Sequence, residues 1–311
     1  MNTSLVTGGA GFIGSHLVEE LIRRGHRVRV LDNFLTGKRE NLETIIDGIE
    51  LIEGDIRDFN TCVRAVEGME FVFHQAALPS VPRSVEDPFV TNEINIKGTL
   101  NVLQAASQAA VKRLVFASSS SVYGDDPSLP KKEGIEGIPL SPYAVSKLTG
   151  EKYCQVFSRI YGLSTVSLRY FNIFGPRQDP FSQYAAVIPN FITKILDGQR
   201  PTIYGDGEQS RDFTYVANAV EANILAIETG DFSGEVINIA CAEGITVNSL
   251  AGAVNGILGK DIPPSYAPPR PGDIRHSFAD ISRARKRLGF QPLYGFKQGL
   301  ERTISWYKER K

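Results

Sequence analysis

The chain has 311 residues, of which 42% are hydrophobic and 22% charged, a composition of ordinary globular proteins that leaves room for about two domains and a large buried core. With 34 basic against 35 acidic residues the formal charge is −1, so no basic field is available for nucleic acid or an anionic membrane surface, and any anionic ligand is held locally. Cys62, Cys154 and Cys241 lie far apart without CxxC or CxxH spacing and read as buried free thiols, so neither a disulfide framework nor a zinc site is suggested. No apolar run approaches the roughly 18 residues of a membrane span, and the first strand begins too early for a leader peptide, so the expected location is the cytoplasm.

The first predicted strand, Leu5-Val6, runs into Thr7-Gly8-Gly9-Ala10-Gly11-Phe12-Ile13-Gly14, which opens a helix over 12–24. Glycines at 8, 11 and 14 form GxxGxxG, a relative of the fingerprint by which a strand–turn–helix unit holds a dinucleotide. Glycine permits the tight turn and the approach of backbone N–H groups, here including those of Phe12 and Ile13, to a pyrophosphate that faces the positive end of the helix. The second strand, Val28–Leu31, ends at Asp32, 18 residues after Gly14, near the spacing at which a carboxylate accepts hydrogen bonds from adenosine ribose hydroxyls. A 2′-phosphate would be repelled there, so the expected cofactor is NAD. Asn33, Thr36 and Gly37 follow as candidate phosphate contacts.

A third strand at Leu51-Ile52 is expected to close at Asp55-Ile56, where an adenine edge would lie. After a helix over 58–67, the fourth strand, Phe71–Phe73, closes at Gln75-Ala76-Ala77, whose small side chains admit a flat ring. A helix over 92–110 leads to the fifth strand, Leu114–Phe116, and then to a serine run, in which Ser119 offers a hydroxyl at the carboxyl edge of the sheet.

Ser141-Pro142-Tyr143 reads as an N-cap, a proline at the first helical position and the start of a helix over 143–161, on which Tyr143 and Lys147 share one face. A free tyrosine is almost wholly protonated at neutral pH, and bringing its pKa down to near 7 takes about 4 kcal/mol. An adjacent ammonium supplies part of that, and the positive nicotinamide ring is expected to supply the rest. Tyr143 then reads as the acid/base, Lys147 as the group that tunes it and holds the nicotinamide ribose, and Ser119 as the relay or stabiliser of the substrate proton.

Strands alternating with helices imply βαβ units and a parallel, doubly wound sheet. After a sixth strand, Val166–Leu168, the pattern loosens into Gly/Pro-bearing stretches at Gly175-Pro176, Tyr204–Gly207 and Pro263–Gly272, as expected of a loop-rich region that shapes a pocket. The expected fold class is therefore α/β, with a Rossmann domain over 1–175, rejoined by a helix and strand in 213–240. A smaller mixed α/β cap over 176–212 and 241–311 would bind the substrate.

On these residues the chain resembles the extended short-chain dehydrogenase/reductase superfamily along essentially its whole length. The TGGAGFIG opening, Asp55, His74-Gln75-Ala76-Ala77, Asn95 with Gly98, the Ser119/Tyr143/Lys147 set and Arg169-Tyr170-Phe171-Asn172 carry the likeness. Within that superfamily it is most similar to UDP-hexose 4-epimerases. The resemblance implies a bound NAD, hydride removal from sugar C4, rotation of a 4-keto intermediate and hydride return to its other face. Before Val122-Tyr123-Gly124 the related 4,6-dehydratases carry Asp-Glu and the UDP-glucuronate decarboxylases a Glu, whereas this chain has Ser120-Ser121, and a hydroxyl is a poor general acid/base beside a carboxylate.

By the same resemblance Asn95 contacts the cofactor, Ser80, Ser120, Val187 and Tyr204 line the substrate site, and Asn172 meets the sugar-phosphate region. Arg211 meets the UDP pyrophosphate, as suits an arginine fork, and Arg270 and Asp273 meet the uridine ribose. Ser277 stands where the family sets pocket size, and with Ala186 it implies room for an N-acetyl group, although Pro79 in place of a glycine is expected to narrow one wall. The expected function is NAD-dependent 4-epimerisation of a UDP-hexose, plain or N-acetylated. Another UDP-sugar conversion, such as 4-epimerisation of UDP-glucuronate, and a noncatalytic NAD-binding relative stay open as alternatives. The likeness also implies a homodimer formed through helices 92–110 and 143–161.

Overall fold

The computed structural model describes residues 1–180, 187–269 and 274–310. Six strands arise in the first part of the chain: β1 (Thr3–Thr7), β2 (Arg27–Asp32), β3 (Ile49–Glu53), β4 (Phe71–His74), β5 (Arg113–Ser119) and β6 (Thr165–Tyr170). Four short ones, β7 (Ile173–Phe174), β8 (Thr202–Tyr204), β9 (Ser210–Arg211) and β10 (Thr214–Tyr215), precede β11 (Glu235–Ile239). Then come β12 (Ile245–Thr246), β13 (Ser265–Ala267) and β14 (His276–Ser277).

The main sheet has seven strands in the order β11-β6-β5-β4-β1-β2-β3, every neighbouring pair parallel. Parallel neighbours require crossovers. Up to β6 these carry α1 (Phe12–Arg23), α2 (Phe59–Val66), α3 (Val81–Glu86), α4 (Pro88–Asn92), α5 (Gly98–Gln108) and α6 (Pro142–Tyr161), with only short 3-10 turns between β2 and β3, and the crossover to β11 carries a helix over 216–228. The later helices are α7 (Val187–Leu196), α8 (Val216–Glu228), α9 (Val247–Leu258), α10 (Ser282–Leu288) and α11 (Phe296–Glu309). The order reverses between β1 and β4, and at such a point the crossovers diverge and leave a crevice at the carboxyl edge.

Helices cover both faces, so successive strand residues enter two different cores. Leu5, Val72, Leu114 and Phe116 pack with α2 and α5 on one side. Val6, Phe73 and Val115 pack with α1 and α8 on the other, and that core runs on without a break through Ile188, Phe191 and Ile192 of α7 to Leu250 of α9 and Leu300 of α11. Outside the main sheet β9 pairs with β12 and β14, β8 with β13, and β7 with β10.

Two local features differ from the sequence expectation. Strand β3 stops at Glu53, short of Asp55-Ile56, and the helix expected over 92–110 begins at Pro88 and contains a wide π-type turn over Glu93–Lys97. Such turns turn a side chain out of the regular helical rows, and the one here carries Asn95.

Candidate active site

The cofactor side of the crevice is shaped by missing side chains. Gly8, at φ +71°, ends β1, and a Cβ there would lie 2.7 Å from the Ala76 backbone nitrogen. A Cβ on Gly14 would lie 2.1 Å from the Gly8 carbonyl oxygen, and one on Gly37 3.0 Å from Asp32 Oδ1. Gly11 starts α1 with no side-chain cap, leaving the first-turn N–H groups of Phe12 and Ile13 the role that holds phosphate in such turns. Buried Asp32 accepts backbone N–H bonds from Ala10 (2.9 Å) and Phe34 (2.8 Å); burial pushes its pKa up, and those bonds pull the other way. This combination of an uncapped helix start, close-packed glycines and a carboxylate ending β2 fits NAD.

Several expected cofactor residues are held by protein groups. Asn33 Nδ2 donates to Asp55 (2.7 Å), and Arg57 grips the same carboxylate and holds its pKa down at about 2. Ile56 packs on Gly98, where a Cβ would come within 2.5 Å of it. Thr36 is exposed. Gln75 Nε2 donates to Tyr170 Oη (3.2 Å) and Asn223 Oδ1 (3.1 Å). Ala76 and Ala77 follow it half-buried, with the Ala76 N–H bonded to Thr7 Oγ1. Asn95 accepts from Leu78 N–H (2.7 Å) and donates to Ser146 Oγ (3.1 Å), which joins the loop after Ala77 to α6.

The opposite side gathers the Ser-Tyr-Lys set. Ser141 Oγ accepts the Ala144 N–H and Pro142 opens α6, so Tyr143 lies in its first turn. Tyr143 is half-buried, its phenol is near enough to Ser119 at the end of β5 for that hydroxyl to favour the phenolate, and Ser119 Oγ accepts the Ser121 N–H (3.1 Å). Lys147 is buried; its Nζ donates to the Ala117 carbonyl (2.8 Å) and lies 5.9 Å from the Tyr143 ring centre and 5.1 Å from that of Phe116. Phe116 can sit there because residue 150 is glycine: a Cβ would approach its ring to 2.4 Å.

Burial sets the protonation of both groups. It lowers Lys147 to about 8. It pushes the Tyr143 phenol up, with the Ser119 hydroxyl opposing. The expected lowering by Lys147 does not appear in the protein alone: desolvation disfavours the phenolate, and the Lys147 ammonium is directed at the Ala117 carbonyl.

Sequence reasoning passed over two residues that fix this helix. Ser84 of α3, fully buried, accepts the Tyr143 backbone N–H (3.1 Å), and Ser146 Oγ donates to the Tyr143 carbonyl (2.7 Å). No local motif marks Ser84, whose partner is 59 residues away.

On the substrate side, Ser80 caps α3 and Ser120 begins the turn after Ser119. Asn172, at φ +37°, donates to the Asp212 carbonyl (3.1 Å). Arg211 stands in register with Ser277 across β9 and β14, which brings two expected substrate residues side by side. Val187 opens α7, and Tyr204 ends β8 partly exposed. Ala186, Arg270 and Asp273 lie outside the described residues. Among the described residues no group of three or more His, Cys, Asp or Glu is placed to hold a metal, and no helix is long and apolar enough to cross a membrane.

A parallel sheet with a glycine turn at its switch point and a Ser-Tyr-Lys set on its carboxyl edge defines a Rossmann-fold, NAD-dependent enzyme. More narrowly, the chain belongs to the NAD dependent epimerase/dehydratase family, whose sequence model matches residues 4–240. It is 40% identical over 306 residues to the putative UDP-glucose 4-epimerase of Methanocaldococcus jannaschii, covering 98% of each chain. The structure of UDP-N-acetylglucosamine 4-epimerase from Methanobrevibacter ruminantium, in complex with UDP-N-acetylmuramic acid, matches with 44% identity and a TM-score of 0.95, over 100% of this chain and 99% of that one. The UDP-glucose 4-epimerase of Thermus thermophilus in complex with NAD matches with 40% identity and a TM-score of 0.89, over 98% and 99%. The chain is an NAD-dependent enzyme of the UDP-sugar 4-epimerase family.

Proposed function

We propose that this enzyme interconverts the C4 epimers of UDP-hexoses, taking UDP-glucose/UDP-galactose and also UDP-N-acetylglucosamine/UDP-N-acetylgalactosamine. The observation that carries the reading is the meeting of Ser119, Tyr143 and Lys147 at the sheet edge, with hydroxyls in place of carboxylates at Ser120 and Ser121. Elimination and decarboxylation want a carboxyl group there, and epimerisation does not.

NAD, when bound, supplies the acceptance and return of hydride at C4. The turn from Gly8 to Gly14 holds its pyrophosphate and Asp32 its adenosine ribose. Tyr143 Oη takes the proton of the C4 hydroxyl and gives it back after the sugar has turned over, while Ser119 holds the C4 oxygen and Lys147 keeps a positive charge beside the phenolate. Segments 176–212 and 241–311 serve as the substrate-binding unit, in which Arg211 meets the diphosphate and the small Ser277 beside it leaves space for an N-acetyl group. Val145, Val156 and Ile160, exposed along one face of α6, form part of a homodimer contact.

Purified protein incubated separately with UDP-galactose, UDP-N-acetylgalactosamine and UDP-glucuronate, with products resolved by NMR at the C4 proton, tests the reading. The 4-epimers of the first two are expected. No epimer from either ends it.

A further inference from the structure

The face of α6 that bears Tyr143 and Lys147 carries a third residue at the same spacing. Glu151, one turn beyond Lys147, is fully buried. Its Oε1 accepts from Ser118 Oγ (2.5 Å) and from Arg169 Nε (2.8 Å), and its Oε2 accepts from Arg169 Nη2 (2.8 Å). Arg169, 1% exposed on β6 and in register with Ser118, also donates to Glu136 (2.6 Å) and lies over the Tyr123 ring.

Three consecutive residues at the end of β5 thus meet three residues of α6 spaced four apart: the Ala117 carbonyl is bonded to Lys147 and Ser118 to Glu151, and Ser119 lies next to Tyr143. The charges also close. Glu151, Arg169 and Glu136 together carry −1, the complement of one ammonium, and Lys147 is the neighbouring ammonium. Of the other titratable groups that face Lys147, Cys154 on α6 is pushed up to about 12, His74 on β4 is lowered to about 3, and the Tyr143 phenol is itself pushed up by burial, so none brings a negative charge before the cofactor binds. A buried ion pair adds little stability over apolar packing of the same shape. Its place behind a desolvated lysine calls for another role.

We propose that Glu151 is a positioning residue for the reaction: gripped by Arg169, it clamps the end of β5 to α6 and supplies the counter-charge that keeps Lys147 an ammonium beside Tyr143. This rests on the roles assigned above to Tyr143 and Lys147, and the test needs no turnover.

The measurement is the titration of the Tyr143 phenol in the NAD-loaded protein, read as the phenolate absorbance difference between each background and the same background with Tyr143→Phe. In Glu151→Gln the titration is expected to move up by about one pH unit, a tenfold loss of phenolate at fixed pH, and Glu151→Asp is expected to restore most of it. If the protein epimerises, kcat should fall by a similar factor with KM for the sugar nucleotide nearly unchanged. A folded, NAD-binding Glu151→Gln protein with the wild-type titration overturns the proposal. If that variant does not fold, Glu136→Gln takes the charge of the group from −1 to zero with Glu151 still gripped by Arg169: the same alkaline move supports the proposal, and a wild-type titration or failure to fold assigns the group a structural role alone. Absence of epimerase activity with an intact Glu151 effect would sink the proposed function and leave this inference standing.

Discussion

On the β1–β3 side of the switch point the crevice is made by backbone, and its residues work by what they lack. Gly8, Gly14 and Gly37 each leave a space that a single carbon would close. On the β5–β6 side the crevice is made by side chains, and the roles proposed for Tyr143, Lys147 and Ser119 rest on charges and protons that distant residues hold in place. The first half therefore fails when an atom is added, and the second when a charge or hydroxyl is lost. Binding of the cofactor and chemistry on the substrate should separate along the same line.

The largest separation is expected from Tyr143→Phe, which should reduce C4 epimer formation by on the order of 10³ or more while NAD affinity, followed by quenching of protein fluorescence, stays within a few-fold. Turnover near the wild-type rate would remove the assigned acid/base.

Acidification strikes both halves at their junction. His74, fully buried between Thr7 and Thr99, is held neutral by burial with its pKa lowered to about 3. A base whose folded pKa is depressed stabilises the fold above its unfolded value of about 6.5, and that stability drains away as pH falls toward 3. Urea denaturation should show a loss of about 3 kcal/mol between pH 7 and pH 4, and His74→Gln should flatten this slope. An equal slope in the variant would place the acid sensitivity elsewhere.

Gly14→Ala tests the other half. A Cβ 2.1 Å from the Gly8 oxygen forces the turn apart, so NAD affinity should drop by at least tenfold with a loss of roughly 1–3 kcal/mol in stability. Titration calorimetry that finds unchanged affinity would show that the turn does not hold the dinucleotide.

The smallest effect is a limb in the pH profile. Burial lowers Lys147 to about 8, so with the role proposed for its ammonium kcat should decline as pH rises through that value. A profile flat to pH 9.5 would mean that Lys147 keeps its proton in the loaded enzyme or has no part in tuning Tyr143.

The same division explains what could be read from the sequence. The glycine turn, Asp32 and the capped helix bearing Tyr143 and Lys147 depend on neighbours within a few residues, so spacing alone exposes them. Strands β1 to β6 were legible because strands buried on both faces are short apolar runs between helical patterns. The partners of Ser84, Asn95 and Glu151 lie 59, 51 and 18 residues away, and no local pattern announces them. The chain after β6 was the least legible part: β9 and β14 are two residues each, and their pairing joins Arg211 to Ser277 across a long stretch of chain. The rise in the Tyr143 pKa was hidden for a related reason, since desolvation depends on the whole enclosure and a sequence shows only the adjacent lysine.

The central claim, that hydrogen leaves sugar C4 and returns to the same carbon within one site, is tested most directly with UDP-galactose carrying deuterium at C4. The UDP-glucose formed in ordinary water is expected to keep that deuterium at C4. Replacement by hydrogen from solvent would contradict it.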